Sequence, residues 1–236
     1  ACHAKKETDA NNLVLAGGVA LNCVANGKLQ QQNIFDSIWI QPAAGDAGGA
    51  LGAALLVSHQ YFDVPRVMNK RKRDSQNGSY LGVQYSSSEV KAYLDRHDYP
   101  YECIADKAKL SSAIADSLAS GEIVGYFSGR MEFGPRSLGA RSILGDPRNK
   151  NTQSIMNLKI KFRESFRPFA PSVLQEDAED YFELRGESPY MLLVSPVKTE
   201  RRVVPILSDP ANKDDMFKSI NQVRSDIPAV THVDYS

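Results

Sequence analysis

The sequence lacks the features of membrane-spanning and disulfide-stabilised proteins. No apolar run approaches the ~20 residues that a helix needs to cross a bilayer. The three cysteines, Cys2, Cys23 and Cys103, have no CxxC or metal-ligand spacing, and their odd number favours free thiols. We therefore expect a protein of a reducing compartment, located in the cytoplasm and not in a membrane.

An excess of charge of either sign is also missing. The chain has 28 Lys and Arg against 28 Asp and Glu, a net charge of +0, so we do not expect it to bind nucleic acid. The charges are unevenly distributed, because nine basic residues and only three acidic ones lie between Ser128 and Arg167. A concentrated basic stretch in a neutral chain indicates a local anion site.

Several common catalytic motifs are absent. There is no GxSxG elbow, no Walker loop and no HExxH zinc motif. The four histidines show no metal spacing, and lone histidines usually belong to the surface or the core. Of the four histidines, we expect His232 to line a site. It lies at the polar end of the apolar run 228–234, which we predict to be the end of a strand.

The N-terminal part of the sequence has an α/β pattern. Short apolar runs at 12–16 and 37–41 predict strands, and the segments 19–31 and 50–61 predict the helices that follow them. Strands that alternate with helices are typical of a parallel sheet. The basic and polar segment 65–79 has no apolar period and predicts an exposed linker.

Beyond residue 79 the pattern changes. Ser86 and Glu89 have the spacing of a capping box, which predicts the start of a helix. Apolar residues at helical spacing predict a second helix that ends at Gly121. Strands are predicted at 122–127 and 190–197.

Two glycine turns, at 17–18 and 45–49, lie between a strand and a helix. Glycine lets the backbone approach a ligand, and the start of a helix offers free N–H groups to phosphate. Asp46 could hold a metal ion or a nucleotide hydroxyl, and Asn22 could contact a ligand. Both residues could equally cap helices, and the glycines could serve close packing. Spacing alone leaves these alternatives open.

The segment 129–142, here called the arginine loop, holds Arg130, Arg136 and Arg141 among three glycines. Guanidinium groups bind phosphate in a bidentate fork, and seryl or backbone N–H groups could complete the site. The alternatives are a solvated basic surface and arginines in internal ion pairs. Interleaved apolar residues such as Phe133 favour a structured cleft.

These segments also carry a family resemblance. Residues 15–23 and 41–54, and then 129–142, 146–148, 161–171 and 228–234, resemble the O-carbamoyltransferases, which include nodulation and antibiotic-biosynthesis enzymes. The resemblance implies an α/β fold with two domains. Residues 1–64 would be the C-terminal part of an actin/sugar-kinase-like (threonylcarbamoyl-transferase-like) domain, 65–79 a linker, and 80–236 a YrdC-like twisted-sheet α/β domain.

The resemblance also implies a two-step reaction. The YrdC-like domain would form carbamoyl adenylate from carbamoyl phosphate and ATP, releasing pyrophosphate. The transfer domain would then pass the carbamoyl group to a hydroxyl of a small-molecule acceptor, beside an iron-type metal; Mg²⁺ would accompany ATP. Alternatives are a threonylcarbamoyladenosine-type tRNA modification enzyme and a non-catalytic nucleotide-binding regulatory module.

The family's roles are carried over to matching positions. The catalytic arginines would be Arg130, Arg136 and Arg141, with Glu132 ordering an arginine rather than acting as a base. Substrate would be bound by Lys161, Arg163, Arg167, Ser142, Ser172 and His232. The cofactor would be bound by Gly17, Gly18, Asn22, Gly48 and Gly49, and the metal by Asp46.

The sequence departs from the family in two ways. The family's HxxxH histidine pair, which completes the metal site, is not in this sequence, and the family pattern continues past the run 231–234. We therefore expect a piece of a longer protein that does not complete carbamoyl transfer alone. Exposed apolar edges would favour self-association, such as a homodimer.

Overall fold

Helices and strands alternate along the N-terminal part of the chain, in a computed structural model that describes residues 1–67, 74–184, 186–204 and 222–236. The order is α1 (Cys2–Thr8), β1 (Asn12–Leu15), α2 (Cys23–Gln31), β2 (Ser37–Ile40) and α3 (Asp46–Leu56). Strands β1 and β2 pair in parallel, with Leu15 opposite Ile40. The predicted parallel α/β arrangement is confirmed for this part of the chain.

The remaining elements are mostly helical. They are α4 (Ser87–Arg96), α5 (Lys107–Ala119), β3 (Val124–Phe127), β4 (Arg141–Leu144), α6 (Thr152–Ile155) and α7 (Ala178–Tyr181). Strands β3 and β4 form a second two-stranded sheet. Helix α4 begins with the predicted capping box, since the Ser86 hydroxyl accepts from the Glu89 N–H and the Glu89 carboxylate accepts from the Ser86 N–H. In the described ranges, no helix has the length and apolar character required to span a membrane.

Two predicted strands are wrong. The segment 190–197 has no strand; Val197 alone forms an isolated antiparallel bridge, with Phe182. Its apolar pattern reflects burial, because Tyr190 and Leu192 lie in a hydrophobic core. Within 228–234, Pro228–Val230 forms a 3₁₀ turn. The fixed φ and missing N–H of Pro228 suit the first position of such a turn better than a strand.

The chain divides into two compact units. The first unit contains Ala1–Tyr99, Phe127–Ser142 and Ser188–Val194; the second contains Pro100–Tyr126, Ile143–Glu187 and Ser195–Ser236. The arginine loop thus belongs to the same unit as both glycine turns. The predicted domain limits at 64 and 80 stay predictions, and residues 68–73 of the predicted linker lie outside the described residues.

The core of the first unit lies beneath the first glycine turn. It is built from Ala20, Ile40, Ala44, Tyr190 and Leu192, with Leu138 of the arginine loop packed against it. Helix α3 contributes no buried residue, although it is rich in alanine and leucine. Its end is apolar and open, with Leu56 55% exposed.

Candidate functional site

The first glycine turn has the open geometry that a ligand-binding turn needs. Gly17 has a φ of 94°, which favours glycine, and its N–H donates to Ala44 O at 2.8 Å. A Cβ at Gly17 or Gly18 would meet nothing within 4 Å. The backbone here is fixed by the turn and faces open space.

The second glycine turn combines packing with open space. A Cβ at Gly48 would lie 2.1 Å from the backbone oxygen of Ala43, so glycine is needed there for packing. A Cβ at Gly49 would meet nothing within 4 Å. The packing alternative therefore accounts for Gly48, while Gly49 leaves its side of the turn open.

Asn22 caps a helix, which is one of the two interpretations that its position in the sequence allowed. It precedes α2, and its Oδ1 accepts from the Ala25 N–H at 3.0 Å.

Asp46 is exposed in the first turn of α3, where the preceding Gly45 provides no side-chain cap. Within the described residues, no three His, Cys, Asp or Glu side chains are grouped so that they could hold a metal ion. These residues alone do not fit a metal centre, and the metal role of Asp46 stays a prediction.

The arginine loop is wrapped around one buried carboxylate. Oε1 of Glu132, a residue only 8% exposed, accepts from three backbone N–H groups: Leu138 at 2.7 Å, Ala140 at 2.8 Å and Arg141 at 3.3 Å. Burial by itself would raise the pKa of Glu132, but these N–H donors together hold the pKa below its ordinary value. Glu132 therefore orders the loop through its backbone, a role that no local sequence signal reveals.

Arg136 connects the arginine loop to the first glycine turn. Its Nη2 donates to Leu21 O at 2.7 Å, where the turn leads into α2. Its Nε is buried and has no hydrogen-bond partner within the described part of the chain. A buried donor without a partner is costly, so this guanidinium still has bonding capacity.

Arg141 closes the ends of the loop. Its Nη1 donates to Ala140 O at 2.8 Å and to Ser128 O at 3.2 Å, and its guanidinium lies 3.4 Å from the centre of the Phe127 ring. Arg130 is exposed and donates to Gly82 O at 3.1 Å. Among the residues described, none of the loop's three arginines pairs with a carboxylate, so internal ion pairs do not explain them.

The N–H groups on the C-terminal side of the loop are already occupied. Those of Leu138, Ala140 and Arg141 point to Glu132, and that of Gly139 donates to Ser142 Oγ at 3.0 Å. A phosphate there would consequently be bound by side chains, because these backbone N–H groups, which the sequence suggested could complete the site, are occupied.

The remaining basic candidates lie in the second unit, on a turn held by two amide side chains. Buried Asn157 accepts from Arg163 Nε at 2.6 Å and donates to Arg167 O at 2.8 Å. Gln153 donates to Arg167 O at 3.1 Å. Arg167 also pairs with Glu164 at 2.9 Å, and Lys161 is exposed. Sequence reasoning missed Asn157, although amides four residues apart before a basic run are a usable signal.

A pocket of about 300 Å³ lies in the second unit. Its walls are mainly apolar, including Leu118, Ile143, Met156 and Phe169, and Ser172 is among its lining residues. His232 is not one of the lining residues; its backbone N–H donates to Ser236 O, and its Nε2 is buried without a partner in the described structure. The predicted ligand contact of His232 therefore stays a prediction.

Two further polar pairs stabilise the units. In the second unit Arg148 forms a bidentate pair with Asp146, whose pKa it lowers. In the first unit the Tyr190 hydroxyl donates to Asp74. Burial, followed by this carboxylate, raises the pKa of Tyr190. Neither pair belongs to the predicted site.

Comparison with known proteins identifies two family segments. The family model "Carbamoyltransferase C-terminus" matches residues 115–236, and "Carbamoyltransferase N-terminus" matches residues 2–55. These matches cover the glycine turns, the arginine loop and the basic turn of the second unit.

Similar proteins support the same family. An uncharacterized protein of Synechocystis is 54% identical over 98% of this chain and 37% of its own length. Nodulation protein NolO of Bradyrhizobium diazoefficiens is 44% identical over 83% of this chain and 35% of its length. Nodulation protein NolNO of Sinorhizobium fredii is 40% identical over 93% of this chain and 32% of its length. The chain spans about a third of each relative, and with both family models matched in order it belongs to the carbamoyltransferase family.

Proposed function

We propose that the chain is part of an ATP-dependent O-carbamoyltransferase that forms carbamoyl adenylate and passes the carbamoyl group to a hydroxyl of a small molecule. Family membership supports carbamoyl transfer. The observation that carries the nucleotide-dependent step is the arginine loop, whose guanidinium groups lack carboxylate partners in the described structure. We further propose the actin-like and YrdC-like architecture for the two domains of the longer protein.

The proposed reaction must account for every phosphate group of carbamoyl phosphate and ATP. Carbamoyl phosphate already carries a phosphate, so forming carbamoyl adenylate with loss of pyrophosphate also consumes water and releases inorganic phosphate. The carbamoyl oxygen then bonds to the α-phosphorus of ATP, and transfer to an acceptor hydroxyl later releases AMP. Each of these steps gathers negative charge on phosphates, which fixed cations stabilise without reorganisation.

This chain's own residues would supply two functions in the proposal, which are to bind phosphate and to hold the arginine loop. Arg136 would bind phosphate oxygens, because its guanidinium keeps unused capacity beside an open turn. Arg141 would mainly hold the loop, since its donors already bond backbone carbonyls. Lys161 and Arg163, in the second unit, are further candidate phosphate ligands.

The test is carbamoyl-phosphate-dependent exchange of labelled pyrophosphate into ATP by the full-length protein. We expect exchange in the wild type and at least a tenfold loss in Arg136→Ala. The matched control is Arg96→Ala, which removes an exposed arginine of α4. A folded wild type that binds ATP without exchange would support the regulatory module instead. Equal losses of pyrophosphate exchange in the two variants would show that Arg136 does not belong to the site.

A further inference from the structure

We propose that Glu132 is a positioning residue, whose buried carboxylate curves the arginine loop so that Arg136 lies against the first glycine turn. The catalytic consequence of this role rests on the proposed function, whereas the effect of Glu132 on the shape of the loop does not. All of the residues involved lie in the first unit.

The carboxylate of Glu132 lies where it can stabilise the fold of the arginine loop. It is 8% exposed and forms no ion pair with any described residue. Burying a carboxylate is costly unless hydrogen bonds compensate for lost water. Three backbone N–H groups provide that compensation through one oxygen, Oε1.

Converging on one oxygen dictates the path of the loop. The donors come from Leu138, Ala140 and Arg141, which an extended segment could not direct to one point. Gly134 and Gly139 permit the curvature, with φ values of 117° and 100° that disfavour other residues. The carboxylate and the two glycines therefore act together.

The curvature fixes the side chains between those glycines. Leu138 packs against the core beneath the first glycine turn, and Arg136 donates to Leu21 O at 2.7 Å. A loop released from Glu132 would lose both placements at once. The guanidinium that the proposed function assigns to phosphate thus depends on a carboxylate that itself touches no substrate.

The first experiment measures amide hydrogen exchange in the full-length protein. In Glu132→Ala we expect the amides of Leu138, Ala140 and Arg141 to exchange at least a hundredfold faster, with α5 unchanged. In Glu132→Gln a neutral oxygen remains, and because hydrogen bonds to charged acceptors are stronger, exchange should rise severalfold at the same amides. The exposed Glu102→Gln is the control.

Either variant decides the structural claim. If Glu132→Ala does not fold, Glu132→Gln still reports on the loop. Unchanged exchange at the three amides, or a uniform increase along the whole chain, would overturn the proposal. This outcome does not depend on any enzymatic activity.

The second experiment measures pyrophosphate exchange in a double-mutant cycle. We expect Glu132→Gln to lower kcat about tenfold when Arg136 is present and less than twofold in an Arg136→Ala background. Equal losses in both backgrounds would show that Glu132 does not act through Arg136. If the acidic limb of the pH profile disappeared in Glu132→Gln, Glu132 would be a base and the proposal would be wrong. A wild type without exchange would refute the proposed function and leave the hydrogen-exchange result to decide the role of Glu132.

Discussion

Adjacent glycines at the start of α3, Gly48 and Gly49, differ in what surrounds them. A Cβ at Gly48 would lie 2.1 Å from Ala43 O, whereas one at Gly49 would meet nothing within 4 Å. Both residues lie in the same helix and are equally small. Alanine at each position therefore makes a matched pair of variants.

The magnitude follows from two opposing effects. Replacing glycine by alanine inside a helix gains roughly 0.5–1 kcal/mol, so Gly49→Ala should raise the free energy of unfolding by that amount. Gly48→Ala has the same helix gain but must displace the Ala43 carbonyl, and such overpacking costs about 1–3 kcal/mol. The free energies of unfolding of the two variants should therefore differ by about 1–3 kcal/mol.

The assay is urea unfolding of the wild type and both variants, monitored by circular dichroism. Equal m-values would show that the midpoints report differences in the free energy of unfolding. Equal stability of Gly48→Ala and Gly49→Ala would refute the packing argument. ATP binding by titration calorimetry adds the functional test in the full-length protein. If Gly49 faces a nucleotide, Gly49→Ala should weaken ATP binding while remaining as stable as wild type or more so.

Three other predictions concern single side chains. Arg148 lowers the pKa of Asp146 from its ordinary 3.8, so the stability from the ionised carboxylate is complete above that value and lost as pH falls through the lowered pKa. The melting temperature of the wild type should accordingly fall more steeply than that of Asp146→Asn below about pH 4, and parallel curves would contradict this. Tyr190→Phe removes the donor to Asp74 and should cost about 1–3 kcal/mol in urea unfolding, while an exposed tyrosine changed to phenylalanine should cost little. Leu56→Glu places a charge on the exposed apolar end of α3 and should reduce self-association of this chain in light scattering; a wild type that is monomeric at high concentration would refute it.

Local sequence signals predicted the elements whose cause is local. The parallel pair β1 and β2 follows from apolar runs closed by turns, and the start of α4 follows from Ser86 and Glu89, three residues apart. The chemistry of such signals acts within a few residues, so it survives any tertiary arrangement. The apolar segment 190–197 shows the limit of this reasoning, because its pattern predicted a strand, whereas strand pairing needs a partner elsewhere in the chain.

The sequence by itself determined the family, the parallel α/β pattern and a concentrated set of arginines. Only the tertiary structure decided what those arginines touch. Arg136 donates a hydrogen bond to Leu21 O, 115 positions away in the sequence. Buried Glu132 accepts hydrogen bonds from backbone N–H groups rather than from a guanidinium. Asn22 and Gly48 had two interpretations until a cap and a close carbonyl were seen. Residue type and spacing fix which bonds a group can form, but the path of the folded backbone fixes which partner comes within reach.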